Sequence, residues 1–193
     1  NDGYKYCVDL DLENFFDTVS HSKLIELLSR TVKDGRVVSL IHKYLISGVL
    51  VGGHYESHVQ GTVQGGPLSP LLSNIMLHEL DIELASRGYK FVRYADDCMI
   101  FCKSKRSALR VKERITIFIE KHLFLQVNLS KTSVGYVRGM KFLGYSFYVH
   151  KGECRLSVHP KSYLKLKTRL KELTGRSNGM GYDKRKAELH LFI

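Results

Sequence analysis

Tyr94-Ala95-Asp96-Asp97 does most to limit what this chain can fold into. Lys90-Phe91-Val92-Arg93 precedes it and Cys98-Met99-Ile100-Phe101-Cys102 follows, so apolar, aromatic and β-branched runs flank a short polar centre. That pattern predicts two strands joined by a tight turn. Two neighbouring anions at the tip repel each other and need positive charge beside them to stay ionised. A divalent cation supplies it. Hard oxygen donors suit Mg2+ or Mn2+, and a pair of such ions stabilises the attacking and leaving oxygens of phosphoryl transfer. A lone Asp-Asp pair is more often a plain solvated turn, so other carboxylates decide between the readings.

The chain has 193 residues, enough for one sizeable core or two small ones. Hydrophobic residues make up 44% and charged residues 25%, the balance of a folded chain and not of a disordered one. No apolar run reaches the ~18–20 residues of a membrane span and no signal-peptide pattern opens the chain, so we expect an intracellular, cytoplasmic protein with no membrane partner. The start at Asn1, close to a strand, leads us to expect a fragment of something larger. A net charge of +11 with a pI near 9.5 predicts a polyanionic partner, although solubility or ribosome association also accounts for it. Lysine and arginine concentrate after Lys103 and from Lys161 to Lys186, as on a face for phosphates. Cys7, Cys98, Cys102 and Cys154 form no CxxC pair and read as reduced, mostly buried thiols.

Tyr6 to Leu12 alternates apolar and polar residues as a half-buried strand does. Ser20 or Ser22 can cap a helix bearing Leu24, Leu27 and Leu28, and a second helix opens near Asp34. A short β segment is expected around Val49 to Val51. Gly65-Gly66-Pro67 leads into a long apolar stripe from Leu68 to Leu84, with Pro67 or Pro70 in the first helical turn. After the Asp-Asp hairpin, Ser104 caps a basic amphipathic helix to about His122. Leu123 to Val127 and Thr132 to Val137 read as strands about an Asn128 to Lys131 turn. Met140 to Val149 pairs with Cys154 to Val158 across Lys151-Gly152, and a basic helical tail follows. The expected fold is α+β, with helices packed on one face of a largely antiparallel sheet.

Asp11 ends its predicted strand. If that strand neighbours the hairpin, Asp11 and Asp96 face each other at one end of the sheet, and with Asp97 and the Leu12 carbonyl they make a two-metal site. Asp9 competes with Asp11 on the same strand face.

Here the chain resembles the reverse transcriptase family, and among its members the proteins encoded by bacterial group II introns. The resemblance rests on Asp11 to Asp17 (DLENFFD), Gly61 to Asn74 (GTVQGGPLSPLLSN), Tyr94 to Asp97 (YADD), Asn128 to Thr132 (NLSKT) and Phe142 to Tyr145 (FLGY). Five motifs in the family's order are a specific signal where any one is weak. The resemblance implies the palm of a right-hand polymerase with part of the fingers over 1–160. Residues 161–193 would be a basic helical segment leading toward a thumb domain not included in the chain.

By the same resemblance Asp11 and Asp96 are the principal metal ligands, Asp97 a weaker or outer one, and two Mg2+ (or Mn2+) ions the cofactors. Phe16 lies under the incoming sugar and excludes a 2′-hydroxyl, although it also reads as a core residue beside Phe15. Gln64 meets the nascent base pair and Lys131 the triphosphate. Tyr94 supports the primer or template end, and Phe142, Leu143, Gly144 and Tyr145 grip the primer. The implied activity is RNA-directed DNA polymerisation, with an RNA template, a DNA or RNA primer, dNTPs and group II intron RNA as partners, joined to a maturase role in splicing. The alternatives are an RNA-binding maturase scaffold without polymerase activity, or a retron, diversity-generating or CRISPR-associated reverse transcriptase.

Overall fold

The computed structural model describes residues 3–51, 54–56, 60–62, 65–175 and 179–192. They divide into two compact units, Asn1–Val137 and Arg138–Ile193. In the first unit, strand β1 (Tyr6–Leu10) is followed by helices α1 (Phe15–Thr18), α2 (His21–Thr31) and α3 (Gly35–Ile46). A hairpin of β2 (Val49–Val51) and β3 (His54–Glu56) precedes the long helix α4 (Ser69–Ser86). Strands β4 (Lys90–Tyr94) and β5 (Asp97–Cys102), helix α5 (Lys105–Phe118) and strand β6 (Ser133–Tyr136) complete it.

Four of these strands form an antiparallel sheet in the order β4-β5-β1-β6. Side chains alternate across a strand, so the sheet has two chemically different faces. Val8, Leu10, Cys98, Ile100 and Cys102 point to one of them. There they join a buried core with Leu24, Leu27 and Leu28 of α2, Leu72, Met76, Leu77, Leu80 and Leu84 of α4, and Ala108, Val111 and Ile115 of α5. Asp9 and Asp97 belong to the opposite face. The helices therefore cover one side of the sheet, as the sequence led us to expect.

Local signals account for the helix starts. The side chains of Ser20, Asp34 and Ser104 accept hydrogen bonds from the backbone N–H groups of Lys23 (3.4 Å), Arg36 (2.9 Å) and Ser107 (3.2 Å). Pro70 falls in the first turn of α4, where its missing N–H costs nothing. Leu123 to Val127 is not a strand. The chain runs on from α5 through a π-helical turn, Ile119–Leu123, that buries Ile119 and Leu123, and only Val127 touches a strand partner, bridging to Leu12. Ile115, Ile119 and Leu123 continue the four-residue spacing of the helix, and their burial outweighs the β propensity of the segment.

The second unit holds strands β7 (Lys141–Phe142), β8 (Tyr145–His150) and β9 (Glu153–Val158), paired in that order, and helices α6 (Pro160–Thr174) and α7 (Tyr182–Phe192). The single strand expected over Met140 to Val149 is thus two, reversed at Leu143-Gly144. Both residues have positive φ, 49° and 87°, as a two-residue hairpin of type I′ requires. Lys151-Gly152, at 49° and 81°, makes the second hairpin at its expected place.

Gly61 ties the approach to α4 onto α1 and α2. Its N–H donates to the Val19 carbonyl (2.8 Å), its carbonyl accepts from His21 Nε2 (2.6 Å), and the Thr62 N–H donates to the Phe16 carbonyl (2.6 Å). Gly61 has φ of 91°, and a Cβ there would lie 2.9 Å from the Phe16 and Asp17 carbonyl oxygens. Gly61→Ala should therefore cost about 2 kcal/mol of stability, seen in thermal unfolding as a Tm lower by roughly 4–8 °C.

Candidate active site

The pairing of β1 with β5 assembles the acidic end of the sheet. Leu10 lies opposite Cys98 and Asp9 opposite Met99, so the next step of the same register sets Asp11 across from Asp97. Asp9, Asp11 and Asp97 then share the face turned away from the helices. Asp96 stays in the two-residue turn with Ala95, between Tyr94 and Asp97, which pair directly. The register thus brings Asp97 across from Asp11, with Asp96 one residue away at the tip.

Among the described residues, positive charge is sparse on this face. Burial, and after it the carboxylates of Asp97 and Asp11, hold the Asp9 carboxyl above the usual range. Lys131 Nζ lies 3.8 Å from Asp11 Oδ1, with both side chains substantially exposed, so it neutralises only loosely. Among the described residues no group of three or more His, Cys, Asp or Glu side chains is arranged to hold a metal ion. Burial pushes the Cys7 and Cys98 thiols up to about 12, so both are neutral neighbours.

The Asn128 to Thr132 segment anchors the backbone of Asp11. Thr132 Oγ1 accepts from the Asp11 N–H (3.1 Å) and lies 3.3 Å from the Asp11 carbonyl, which also accepts from the Asn128 N–H (2.9 Å). Asn128 Oδ1 accepts from the Lys131 N–H (3.2 Å) and Ser130 Oγ (2.7 Å), closing the turn that brings Lys131 to Asp11. The sequence singled out Lys131 but missed Thr132, although it stands in the same motif. Arg93 was also missed. Its guanidinium grips both carboxylate oxygens of Asp81, and its third nitrogen reaches Asn74 and the carbonyl of Ala95 in the turn.

Leu12 is buried, and Phe16 is partly buried, edge-on to Phe15 with ring centroids 5.3 Å apart. Gln64 lies outside the described residues. Tyr94 is 65% exposed beside the acidic turn, an uncommon degree of exposure for so large a ring. Phe142, Leu143, Gly144 and Tyr145 form the first hairpin of the second unit, with Leu143 and Tyr145 about half exposed. The α5 cations Lys105, Arg106, Arg110 and Arg114 are exposed on the helix side of the sheet, opposite the carboxylates.

A raised Asp9 carboxyl keeps its proton in the folded state at pH values where the unfolded chain has lost it. Its contribution to stability is therefore present at low pH and is lost as pH rises from the ordinary carboxylate range through the folded value. Asp9→Asn removes this loss. The variant's Tm should exceed that of the parent at pH 7, and the gap should shrink as the pH is lowered toward 4; equal melting at pH 7 would contradict the repulsion.

Comparison with known proteins supplies the family. The reverse transcriptase (RNA-dependent DNA polymerase) family model matches residues 1–147. Protein YkfC of Escherichia coli K12 is 28% identical over 176 residues, covering 73% of this chain and 46% of its own length. Group II intron-encoded protein LtrA of Lactococcus lactis is 28% identical over 214 residues, covering 77% of this chain and 36% of its own. The Retron Ec86 reverse transcriptase of Escherichia coli is 27% identical over 143 residues, covering 72% and 41%. The chain spans less than half the length of each of these relatives. Apo telomerase from Candida tropicalis, truncated from its C-terminal domain, superposes with a TM-score of 0.61 at 18% identity, covering 79% of this chain and 35% of that one. That likeness gives the fold, the palm and part of the fingers of a right-hand polymerase. Since the family match runs through β1, the acidic hairpin and β6, this chain belongs to the reverse transcriptase family.

Proposed function

We propose that this chain carries the polymerising centre of an RNA-directed DNA polymerase, which extends a DNA or RNA primer on an RNA template with dNTPs. The observation that carries the proposal is the β1–β5 register, which ends with Leu10 opposite Cys98 and so leads Asp11 and Asp97 to the same end of the sheet, with Asp96 adjacent in the turn. In the full-length protein the same centre serves a group II intron, whose RNA the protein binds as a splicing maturase; the likeness to LtrA supports this. The net charge of +11 suits such polyanionic partners. The likeness to the Retron Ec86 enzyme supports a second reading, a retron-type reverse transcriptase.

The donor chemistry of the site fits Mg2+, or Mn2+ in its place. Mg2+ is commonly held by one or two carboxylates together with substrate phosphates and water, so no all-protein cage is needed. Asp11, Asp96 and Asp97, together with the Leu12 carbonyl, are the residues that would hold two such ions. When bound, the ions neutralise charge on the triphosphate and favour ionisation of the primer 3′-hydroxyl. The protein's own part is position. Thr132 and Asn128 fix the backbone from which the Asp11 carboxylate projects. Lys131, exposed and only loosely paired with Asp11, meets the triphosphate. Phe16 closes the space a ribose 2′-hydroxyl would need, with Gln64 against the base pair. Tyr94 supports the primer or template end, and Phe142 to Tyr145 grip the primer.

Primer extension on an RNA template by the full-length protein tests this reading. Asp96→Asn should lower the rate by about 100-fold or more, the usual effect of removing one preorganised electrostatic group, without weakening template–primer binding. A near-normal rate would overturn it. Phe16→Ala should raise ribonucleotide incorporation relative to deoxynucleotide roughly tenfold or more, measured as the ratio of the two kcat/KM values. Unchanged discrimination would return Phe16 to a packing role.

A further inference from the structure

Arg93 is a cation one residue from the end of β4, and its side chain is only 11% exposed. All its hydrogen bonds go to two elements. Nε and Nη2 donate to Asp81 Oδ1 (2.7 Å) and Oδ2 (2.5 Å), while Nη1 donates to Asn74 Oδ1 (2.9 Å) and to the Ala95 carbonyl (2.9 Å). Asp81 and Asn74 both belong to α4, two helical turns apart and so on one side of it. The forked pair with Asp81 keeps the guanidinium charged and fixes its plane. Joining α4 to β4 requires no more than that fork. The third nitrogen is shared between Asn74 of α4 and the Ala95 carbonyl of the acidic turn.

The turn has a reason to need it. Ala95 takes φ of 53°, a left-handed conformation that a side chain with a Cβ disfavours, and such a residue persists where its surroundings over-determine it. The Ala95 carbonyl is one peptide away from Asp96 and two from Asp97, so the conformation held there sets the direction of both carboxylates. A lysine cannot reproduce the arrangement, because it lacks the planar fork that engages Asp81 and Ala95 together.

We propose that Arg93, oriented by Asp81 and Asn74, is a positioning residue that holds the Ala95 turn so that Asp96 and Asp97 are aimed for catalysis. The proposal rests on the reading of those aspartates as catalytic carboxylates. In the full-length protein, Arg93→Lys should lower kcat for primer extension about tenfold or more, with KM for dNTP and for template–primer within about twofold of the parent. Amide hydrogen exchange should rise in the peptide spanning 93–98 and stay unchanged across β1. Asn74→Ala removes one exposed acceptor. It should lower kcat severalfold with an unaltered Tm, and it decides the matter if Arg93→Lys does not fold. Asp96→Asn run in parallel separates the two levels. If Asp96→Asn is inactive while Arg93→Lys and Asn74→Ala keep the parental kcat and exchange pattern, the positioning role is overturned and the catalytic reading stands. If Asp96→Asn is active, the catalytic reading itself fails.

Discussion

The antiparallel pairing of β1 with β5 is the constraint on which the rest of the molecule depends. Its pleat sends Val8, Leu10, Cys98 and Ile100 to one side and Asp9 and Asp97 to the other. The apolar side collects α2, α4 and α5 and supplies the hydrophobic stabilisation. The other side buries Cys7 and Met99 as well, and its acidic residues lie toward the end of the sheet that carries the turn. Packing and site are thus two consequences of one register.

Gathering carboxylates has an electrostatic cost, and the fold answers it with fixed groups of different kinds. Asp9 bears part of that cost, its carboxyl held above the usual range first by burial and then by the Asp97 and Asp11 carboxylates. Lys131 offers a loose counter-charge to Asp11 from a turn whose backbone is bonded to that same residue. Arg93 acts from the back, its charge satisfied by Asp81 and its remaining hydrogen bonds spent on geometry. Lys112 of α5 reaches the same segment, its Nζ donating to the Thr132 carbonyl (2.7 Å), whereas Lys105, Arg106, Arg110 and Arg114 are exposed on the helix side of the sheet.

Much of this was legible in the chain. The acidic hairpin, the caps at Ser20, Asp34 and Ser104, and the Lys151-Gly152 turn are short-range features whose partners lie within a few residues. Leu123 to Val127 misled because a segment rich in leucine and phenylalanine has strand propensity, whereas the core rewards continuing Ile115 and Ile119 in helical spacing. Met140 to Val149 misled because Leu143, a residue with little preference for positive φ, occupies the turn. Arg93 was silent as a strand residue, since Asn74 and Asp81 are distant in sequence and on another element. Thr132 reaches Asp11 across 121 positions, a contact no local pattern encodes.

The sequence by itself determined the kinds of element, most of their boundaries, the family motifs and the residue types available for chemistry, because propensities, caps and turns act over a few residues. Which carboxylate faces which was decided by tertiary structure. Side chains alternate with a period of two, so a slip of one residue would exchange the faces of a whole strand. What prevents the slip is burial of Val8, Leu10 and Ile100 against helices remote in the chain, and that burial sets Asp97 across from Asp11 with Asp96 at the tip.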